Sequence, residues 1–161
     1  MLKNIDIKIC YKYFDNNYYL RSDPKRIKQV LQNLVSNALK FTDRDGKVHI
    51  LVQLIKNPND NPDFLQISVT DSGIGIKKKN QANLFKLFEQ DKGRSDNSTQ
   101  GIGMGLVVSK LICNHYGGDI DFISKYKRGS TFFFKFKLDK DLQNSMIHYK
   151  TANCKSSINF S

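Results

Sequence analysis

The chain contains almost no glutamate. Glu89 is the only one among its 161 residues, whereas aspartate occurs 14 times. A mechanism that needs a glutamate as general base therefore has a single candidate. The chain also has no run of 18 apolar residues, so we expect no membrane-spanning helix. The first residues form no apolar stretch long enough for a signal peptide, and we expect none.

Cysteine is scarce as well. Cys10, Cys113 and Cys154 form no Cys-x-x-Cys pair and are an odd number. We therefore expect neither a disulfide framework nor a zinc site. Reduced thiols are typical of intracellular proteins, so we expect a cytoplasmic location.

The rest of the composition is that of one folded, basic domain. Hydrophobic residues make up 39% of the chain, which is long enough for one domain with a core and too short for two ordinary ones. With 21 lysines and 5 arginines the net charge is +11, which raises nucleic-acid binding as a hypothesis. However, the cations are spread along the chain, and the one run of three, Lys77–Lys79, is typical of a solvated surface. We therefore expect no nucleic-acid partner.

Hydrophobic periodicity predicts an α+β order. Alternating or continuous apolar runs predict strands at 5–9, 18–20, 48–55, 64–69, 120–123 and 131–136. Helical spacing predicts helices at about 24–41, 84–88 and 106–112. Ser22 or Asp23 can cap the first helix, and Gly117-Gly118 ends the last one.

The order of these elements favours a two-layer sandwich. We expect one mixed, mostly antiparallel sheet with helices on one face. Residues 1–139 would form this domain, and 140–161 a polar, flexible C-terminal tail.

The predicted helix 24–41 has an ordered polar side. Gln29, Asn33, Asn37 and Lys40 recur at helical spacing opposite the apolar residues. Two amides in line with a lysine are typical of a site lining rather than of a solvated surface.

Five short blocks follow one another along the chain. They are 29–42 (Gln-Val-Leu-Gln-Asn-Leu-Val-Ser-Asn-Ala-Leu-Lys-Phe-Thr), 71–76 (Asp-Ser-Gly-Ile-Gly-Ile), 84–90 (Leu-Phe-Lys-Leu-Phe-Glu-Gln), 101–106 (Gly-Ile-Gly-Met-Gly-Leu) and 129–132 (Gly-Ser-Thr-Phe). Each block alone is a weak signal. Together, in this order and spacing, they closely resemble the N box, first glycine box, F box, and second and third glycine boxes of the sensor histidine kinase ATP-binding catalytic domain. The resemblance covers about residues 1–139 and implies the Bergerat ATP-binding fold, shared with gyrase B, MutL and a heat-shock chaperone.

The resemblance implies a site for ATP and Mg²⁺. It makes Asn37 the Mg²⁺ ligand through its amide oxygen, supported by Asn33, while Lys40 supplies a positive charge for the phosphates. Asp71 would accept a hydrogen bond from the adenine amine, with a further contact from Thr131. Residues 90–100 would form the ATP lid. The other nucleotide-binding residues that the resemblance implies are Phe41, Gly73, Gly75, Ile76, Gly101, Gly103, Met104, Gly105 and Leu106.

The resemblance also implies a reaction. The γ-phosphate of ATP would pass to a histidine on a separate dimerisation domain and then to a response-regulator receiver domain. Hydrolases of the same superfamily place a glutamate four residues before the Mg²⁺-binding asparagine as general base for water. Asn33 occupies that position here, and because an amide cannot take the proton, the sequence favours transfer over hydrolysis.

Two alternatives stay open. One is an ATPase of the gyrase type, and the other is a nucleotide-binding module without activity. No motif like His-Glu-Leu-Arg-Thr-Pro is present, and the three histidines, His49, His115 and His148, are typical of structural or incidental positions. We therefore expect the acceptor histidine on another chain or upstream in a longer protein.

The boxes depart from the family pattern at a few positions. Ile102 stands where many members have threonine, and Met104 where leucine is usual. Gln90 stands where many members carry an arginine that reaches the γ-phosphate, and Lys92 or Arg94 could replace it.

Overall fold

The computed structural model describes residues 3–12, 20, 22–56, 64–86 and 104–138. Within them lie five strands and three helices. In chain order these are β1 (Asp6–Lys12), α1 (Pro24–Phe41), β2 (Lys47–Ile55), β3 (Phe64–Asp71), α2 (Lys78–Gln81), α3 (Met104–His115), β4 (Asp119–Lys125) and β5 (Gly129–Lys137).

The strands form one mixed sheet in the order β1-β2-β3-β5-β4. β1 pairs with β2 in parallel, and the three other pairings are antiparallel. α1 and α3 pack on the core face of this sheet, where the largest buried side chains include Phe134, Phe136, Leu34 and Ile120. The predicted mixed sheet with helices on one face is confirmed.

Local chemistry explains where α1 begins and ends. The Asp23 side chain accepts a hydrogen bond from the Lys25 N–H at 2.8 Å, and Pro24 occupies the first helical position, where no intrahelical N–H bond is lost. Val30, Leu34 and Ala38 bury the apolar face of the helix. At the other end, Thr42 adopts an extended conformation and its N–H bonds to Ala38 O. The helix predicted from about Pro24 to Phe41 is confirmed.

One helix differs from its prediction. The periodicity of 84–88 predicts a short helix, but the structure has α2 at Lys78–Gln81 and turns at 82–85. The Phe85 ring packs against Phe122 of β4 with the centroids 5.9 Å apart, so its apolar character serves a contact with the sheet rather than a helix face. Residues 87–90 lie outside the described part of the chain.

Other predictions fall on residues that the structure does not describe. These are the strand at 18–20, apart from Leu20, the lid at 90–100 and the tail at 140–161. In the described part of the chain, no helix combines the length and apolar character needed to cross a membrane. Cys10 and Cys113 are free thiols.

Candidate nucleotide-binding site

Three residues on one side of α1 define the centre of the candidate site. Asn33, Asn37 and Phe41 are spaced four residues apart, so they lie along one helix face with a rise of about 6 Å between neighbours. The first of them contacts the start of α3, and the last contacts the loop that follows β3. Asn37 therefore lies midway between the two glycine segments.

Asn33 connects α1 to α3. Its amide donates a hydrogen bond to Ser109 Oγ at 3.0 Å, and its side chain lies directly against Gly105. A β-carbon on Gly105 would be 2.2 Å from Asn33 Oδ1, so only glycine leaves this side chain in place. The structure therefore brings Asn33 and Gly105 together, as the predicted site requires.

Phe41 connects α1 to the loop after β3. Its carbonyl oxygen accepts a hydrogen bond from the Ile74 N–H at 3.2 Å. A β-carbon on Gly73 would be 2.2 Å from the same oxygen, so this glycine permits the close approach of the two backbones. The Phe41 ring is partly exposed, and the Lys40 ammonium lies 5.4 Å from its centroid.

Asn37 is half-buried and lies between these two contacts. Within the described residues its side chain has no hydrogen-bond partner, in contrast to Asn33 one turn earlier. A half-buried amide that has no partner among the described residues can offer its oxygen to a ligand or cation. The amide oxygen of Asn37 is the atom that the predicted Mg²⁺ site would use.

The end of α1 is held from outside the site. The Lys3 ammonium donates to three carbonyl oxygens there, those of Leu39 (3.4 Å), Lys40 (3.0 Å) and Thr42 (2.8 Å). These are the carbonyls that a helix end leaves without partners, and a cation is stabilising beside them. The sequence blocks did not predict a role for Lys3, because it is far from them along the chain and meets the end of α1 only in the folded structure.

Asp71 ends β3 as a buried carboxylate. Its side chain is 7% exposed, and Oδ1 accepts a hydrogen bond from the Gly73 N–H at 2.8 Å. Burial raises the pKa of this carboxyl above its ordinary value, while hydrogen bonds from the backbone N–H groups of Gly73 and Ser130 act in the opposite direction. A buried acceptor of this kind suits a ligand N–H donor.

Ser130, rather than Thr131, accompanies Asp71. The two residues are direct partners in the β3–β5 register, so their side chains lie on the same face of the sheet, together with buried Val48. Thr131 pairs with Thr70 and points to the opposite face, where the two hydroxyls are 3.0 Å apart. The geometry does not support the predicted contact of Thr131 with the base, because strand residues alternate between faces.

The first glycine loop lies against the β4–β5 turn. Gly75 has φ +61°, and a β-carbon there would be 2.1 Å from Lys125 O. The Lys127 N–H donates to Ile74 O at 2.7 Å, and Ile76 is partly buried beside them. This backbone contact fixes the loop that the sequence assigns to the nucleotide.

The start of α3 has the features that favour an anion. Met104, Gly105 and Leu106 form its first turn, which carries no acidic side chain. A helix N-terminus favours negative charge through its free N–H groups and dipole. Gly101 and Gly103, which the sequence also assigns to the triphosphate, lie outside the described residues.

Together these features define a nucleotide-binding domain of the ATPase class. Residues 22–140 match the family model described as histidine kinase-, DNA gyrase B- and HSP90-like ATPase. The chain belongs to this family, which makes ATP its nucleotide.

Relatives in the family are signalling kinases. The chain is 38% identical over 132 residues to the signal transduction histidine-protein kinase BarA of Escherichia coli K12, which is 82% of this chain and 14% of that protein. It is 38% identical over 128 residues to the sensor protein GacS of Pseudomonas syringae pv. syringae, covering 80% of this chain and 14% of GacS. It thus spans about a seventh of the length of these relatives.

Solved structures agree with this placement. The catalytic domain of histidine kinase ThkA superposes with a TM-score of 0.65 and 29% identity, covering 83% of this chain and 80% of that one. Full-length ShkA in complex with AMPPNP gives a TM-score of 0.62 and 25% identity over 83% of this chain and 26% of ShkA. The domain therefore has the fold of a histidine kinase catalytic domain.

Proposed function

We propose that this domain binds Mg·ATP and passes the γ-phosphoryl group to a histidine on a separate dimerisation domain. A receiver domain would then take the phosphoryl group, as in a two-component phosphorelay. In this proposal residues 1–139 form the catalytic domain. The observation that carries the proposal is the position of Asn33. Its amide side chain donates to Ser109 and lies against Gly105, at the place where a hydrolase of this superfamily needs a general base.

Asp71 supports adenine as the base. An ionised carboxylate only accepts hydrogen bonds, and the adenine exocyclic amine donates them. Its Oδ1 already accepts from the Gly73 N–H, and the carboxylate keeps further lone pairs for a base that donates a hydrogen bond. The Ile74–Ile76 backbone, held close to β4, gives this end of the site a fixed shape.

Asn37 and Lys40 support the phosphate end. Asn37 has a half-buried amide oxygen without a protein partner among the described residues, and Mg²⁺ accepts one such oxygen alongside phosphates and waters. Mg²⁺ would supply charge neutralisation for phosphoryl transfer when bound. The exposed Lys40 ammonium supplies a further positive charge, and the N-terminal turn of α3 supplies N–H donors.

Nucleotide titration tests the site assignment. Isothermal titration with AMPPNP should show Mg²⁺-dependent binding that is lost in Asn37→Ala and Asp71→Ala. Exposed residues of the same types provide matched controls, so Asn114→Ala and Asp43→Ala should bind like the wild type. If Asn37→Ala and Asp71→Ala both bind normally, the assignment is wrong.

A further inference from the structure

A cluster of cations lies where the first glycine loop and the start of α2 meet the turn between β4 and β5. The Lys127 N–H donates to Ile74 O at 2.7 Å, and the Ile76 N–H donates to Ser124 Oγ at 2.8 Å. The Gln81 amide of α2 donates to Ser124 O at 3.3 Å. These bonds bring together six exposed cations, which we call the basic tip: Lys77, Lys78, Lys79, Lys125, Lys127 and Arg128.

The basic tip has no neutralising charge in the segments that form it. Residues 72–86 and 122–138 contain neither aspartate nor glutamate. Asp71, which precedes the first segment, is buried, and its Oδ1 accepts from the Gly73 N–H. Among the residues that the structure describes, none of the six cations forms an ion pair. Positive charge that is concentrated in this way attracts an anionic partner.

Neither the proposed nucleotide site nor the turn accounts for these cations. The proposed site has its phosphate end at Asn37 and Lys40 on α1, whereas the basic tip adjoins Ile74 in the loop at the base end. Lys127 has φ +63°, a left-handed conformation that glycine or asparagine adopts at lower cost. The conformation of the turn therefore does not explain a lysine at this position.

Two exposed apolar side chains lie among the cations. Tyr126 and Ile74 are each 44% exposed. Two ammonium groups lie close to the Tyr126 ring, with Lys77 Nζ 5.2 Å and Lys127 Nζ 6.0 Å from its centroid. Tyrosine is enriched at the boundary between a membrane and water, where the ring contacts apolar groups and the hydroxyl stays hydrated.

The composition of the basic tip favours a bilayer over a single acidic motif. Five of its six cations are lysines, which act as point charges, whereas bidentate recognition of one phosphate or carboxylate group uses arginine. Clustered lysines beside exposed apolar side chains are typical of protein surfaces that bind an anionic leaflet.

We infer that the basic tip is a docking surface for an anionic lipid bilayer. Its ammonium groups contact the lipid headgroups, and Tyr126 and Ile74 enter the interface between them. This inference goes beyond the proposed function and does not depend on it.

Sedimentation of the 161-residue chain with lipid vesicles tests the inference. The chain should bind vesicles of phosphatidylcholine mixed with phosphatidylserine, but not vesicles of phosphatidylcholine alone, and binding should weaken as salt is added. Lys77→Gln/Lys127→Asn removes two charges, and asparagine suits the left-handed turn. This variant should lower the partition coefficient about 25-fold, about fivefold for each lysine. Absence of binding to the mixed vesicles by the wild type would overturn the inference.

Lys25→Gln/Lys28→Gln is the matched control. Both lysines are exposed on the first turns of α1, at the other end of this helix from the contact between Phe41 and Ile74, and the net charge changes by the same amount. The control should bind the mixed vesicles nearly like the wild type. Equal losses in the two double variants would mean that net charge alone drives binding, which would overturn the inference.

Fluorescence locates the contact on the domain. The chain has no tryptophan, so Tyr126→Trp introduces a single reporter, whose emission should shift to shorter wavelength with the mixed vesicles. Tyr11→Trp reports from β1, at the opposite edge of the sheet from β4, and should show no shift. A shift in both variants, or none at 126, would contradict the inference. Polyglutamate is the competing partner: binding to it without binding to vesicles would assign the basic tip to an acidic protein segment instead.

Discussion

Gly105 at the start of α3 lies directly against the side chain of Asn33 on α1, at a distance that no β-carbon tolerates. The same asparagine donates to Ser109 one turn further along α3. The contact fixes the N-terminal turn of α3 against the polar face of α1. The glycine at this position thus serves packing between two helices.

Gly105→Ala should displace the Asn33 side chain rather than the backbone. All three atoms nearest to the added methyl group belong to that side chain, and alanine favours the helix. The free energy of unfolding should therefore change by no more than about 1 kcal/mol, while ATP affinity falls. Urea denaturation and calorimetry measure the two effects.

The double variant Asn33→Ala/Gly105→Ala provides the check on this explanation. Removing the Asn33 side chain gives the methyl group room, so the two substitutions should cost less stability together than the sum of the single changes. Strict additivity would mean that the Gly105–Asn33 contact is not the cause.

Gly73→Ala should be more damaging to stability than Gly105→Ala. Here the added β-carbon would meet the backbone carbonyl of Phe41, which cannot rotate away, at a buried position. We expect a loss of about 1–3 kcal/mol, as for other overpacked sites. Urea denaturation of both alanine variants side by side measures this, and equal stabilities would contradict the packing described for the first glycine loop.

Lys3→Met should destabilise the domain through the end of α1. The substitution keeps much of the apolar stem but removes hydrogen bonds to three carbonyl groups. We expect a loss of about 0.5–1.5 kcal/mol in urea denaturation. Lys8→Met is the control, because in the described part of the chain Lys8 forms an exposed ion pair with Asp6 at 3.7 Å and no other polar contact, and such pairs contribute little. An equal loss in both variants would argue against a capping role for Lys3.

Acidification should weaken ATP binding through Asp71. Because burial raises the pKa of this carboxyl, it takes up a proton at a higher pH than an exposed aspartate and then no longer accepts the adenine amine through both oxygens. The stability of the domain without nucleotide depends on pH in the other direction. The folded state binds the Asp71 proton more tightly than the unfolded state does, so the free energy of unfolding falls as pH rises between the ordinary and the raised pKa.

Calorimetric titrations with AMPPNP over a series of acidic pH values measure this effect on binding. Adenosine serves as a second ligand, since it has no phosphate groups to titrate. A pH dependence with AMPPNP that is absent with adenosine would come from the phosphates and would contradict the assignment to Asp71.

The sequence was sufficient for features that depend on neighbours along the chain. The Asp23 cap, Pro24 and the apolar face of α1 are local, and the order of helices and strands predicted the sandwich. Strand register, in contrast, is a property of the sheet. Choosing between Ser130 and Thr131 required knowing which of two adjacent residues faces Asp71, and a shift of one residue reverses the answer.

Contacts between segments far apart in sequence were also beyond prediction. Lys3 reaches the end of α1 across 36 to 39 residues, and Ser124 reaches Ile76 across 48. Neither residue belongs to one of the five blocks. Each bonds to backbone groups, and such contacts leave no recognisable pattern in the sequence. Phe85 gave a wrong prediction for a related reason. Its spacing from nearby apolar residues predicted a helix, whereas its ring packs against Phe122 of β4.

The central claim, that this domain binds ATP for transfer and not for hydrolysis, is tested most directly by one paired measurement on the 161-residue chain. ATP is titrated in the presence of Mg²⁺, and free phosphate is followed in the same samples. We expect saturable one-to-one binding with phosphate release no faster than in buffer, since Asn33 cannot act as a base. Steady phosphate release by the wild type that disappears in Asn37→Ala would contradict the claim and identify the domain as a hydrolase.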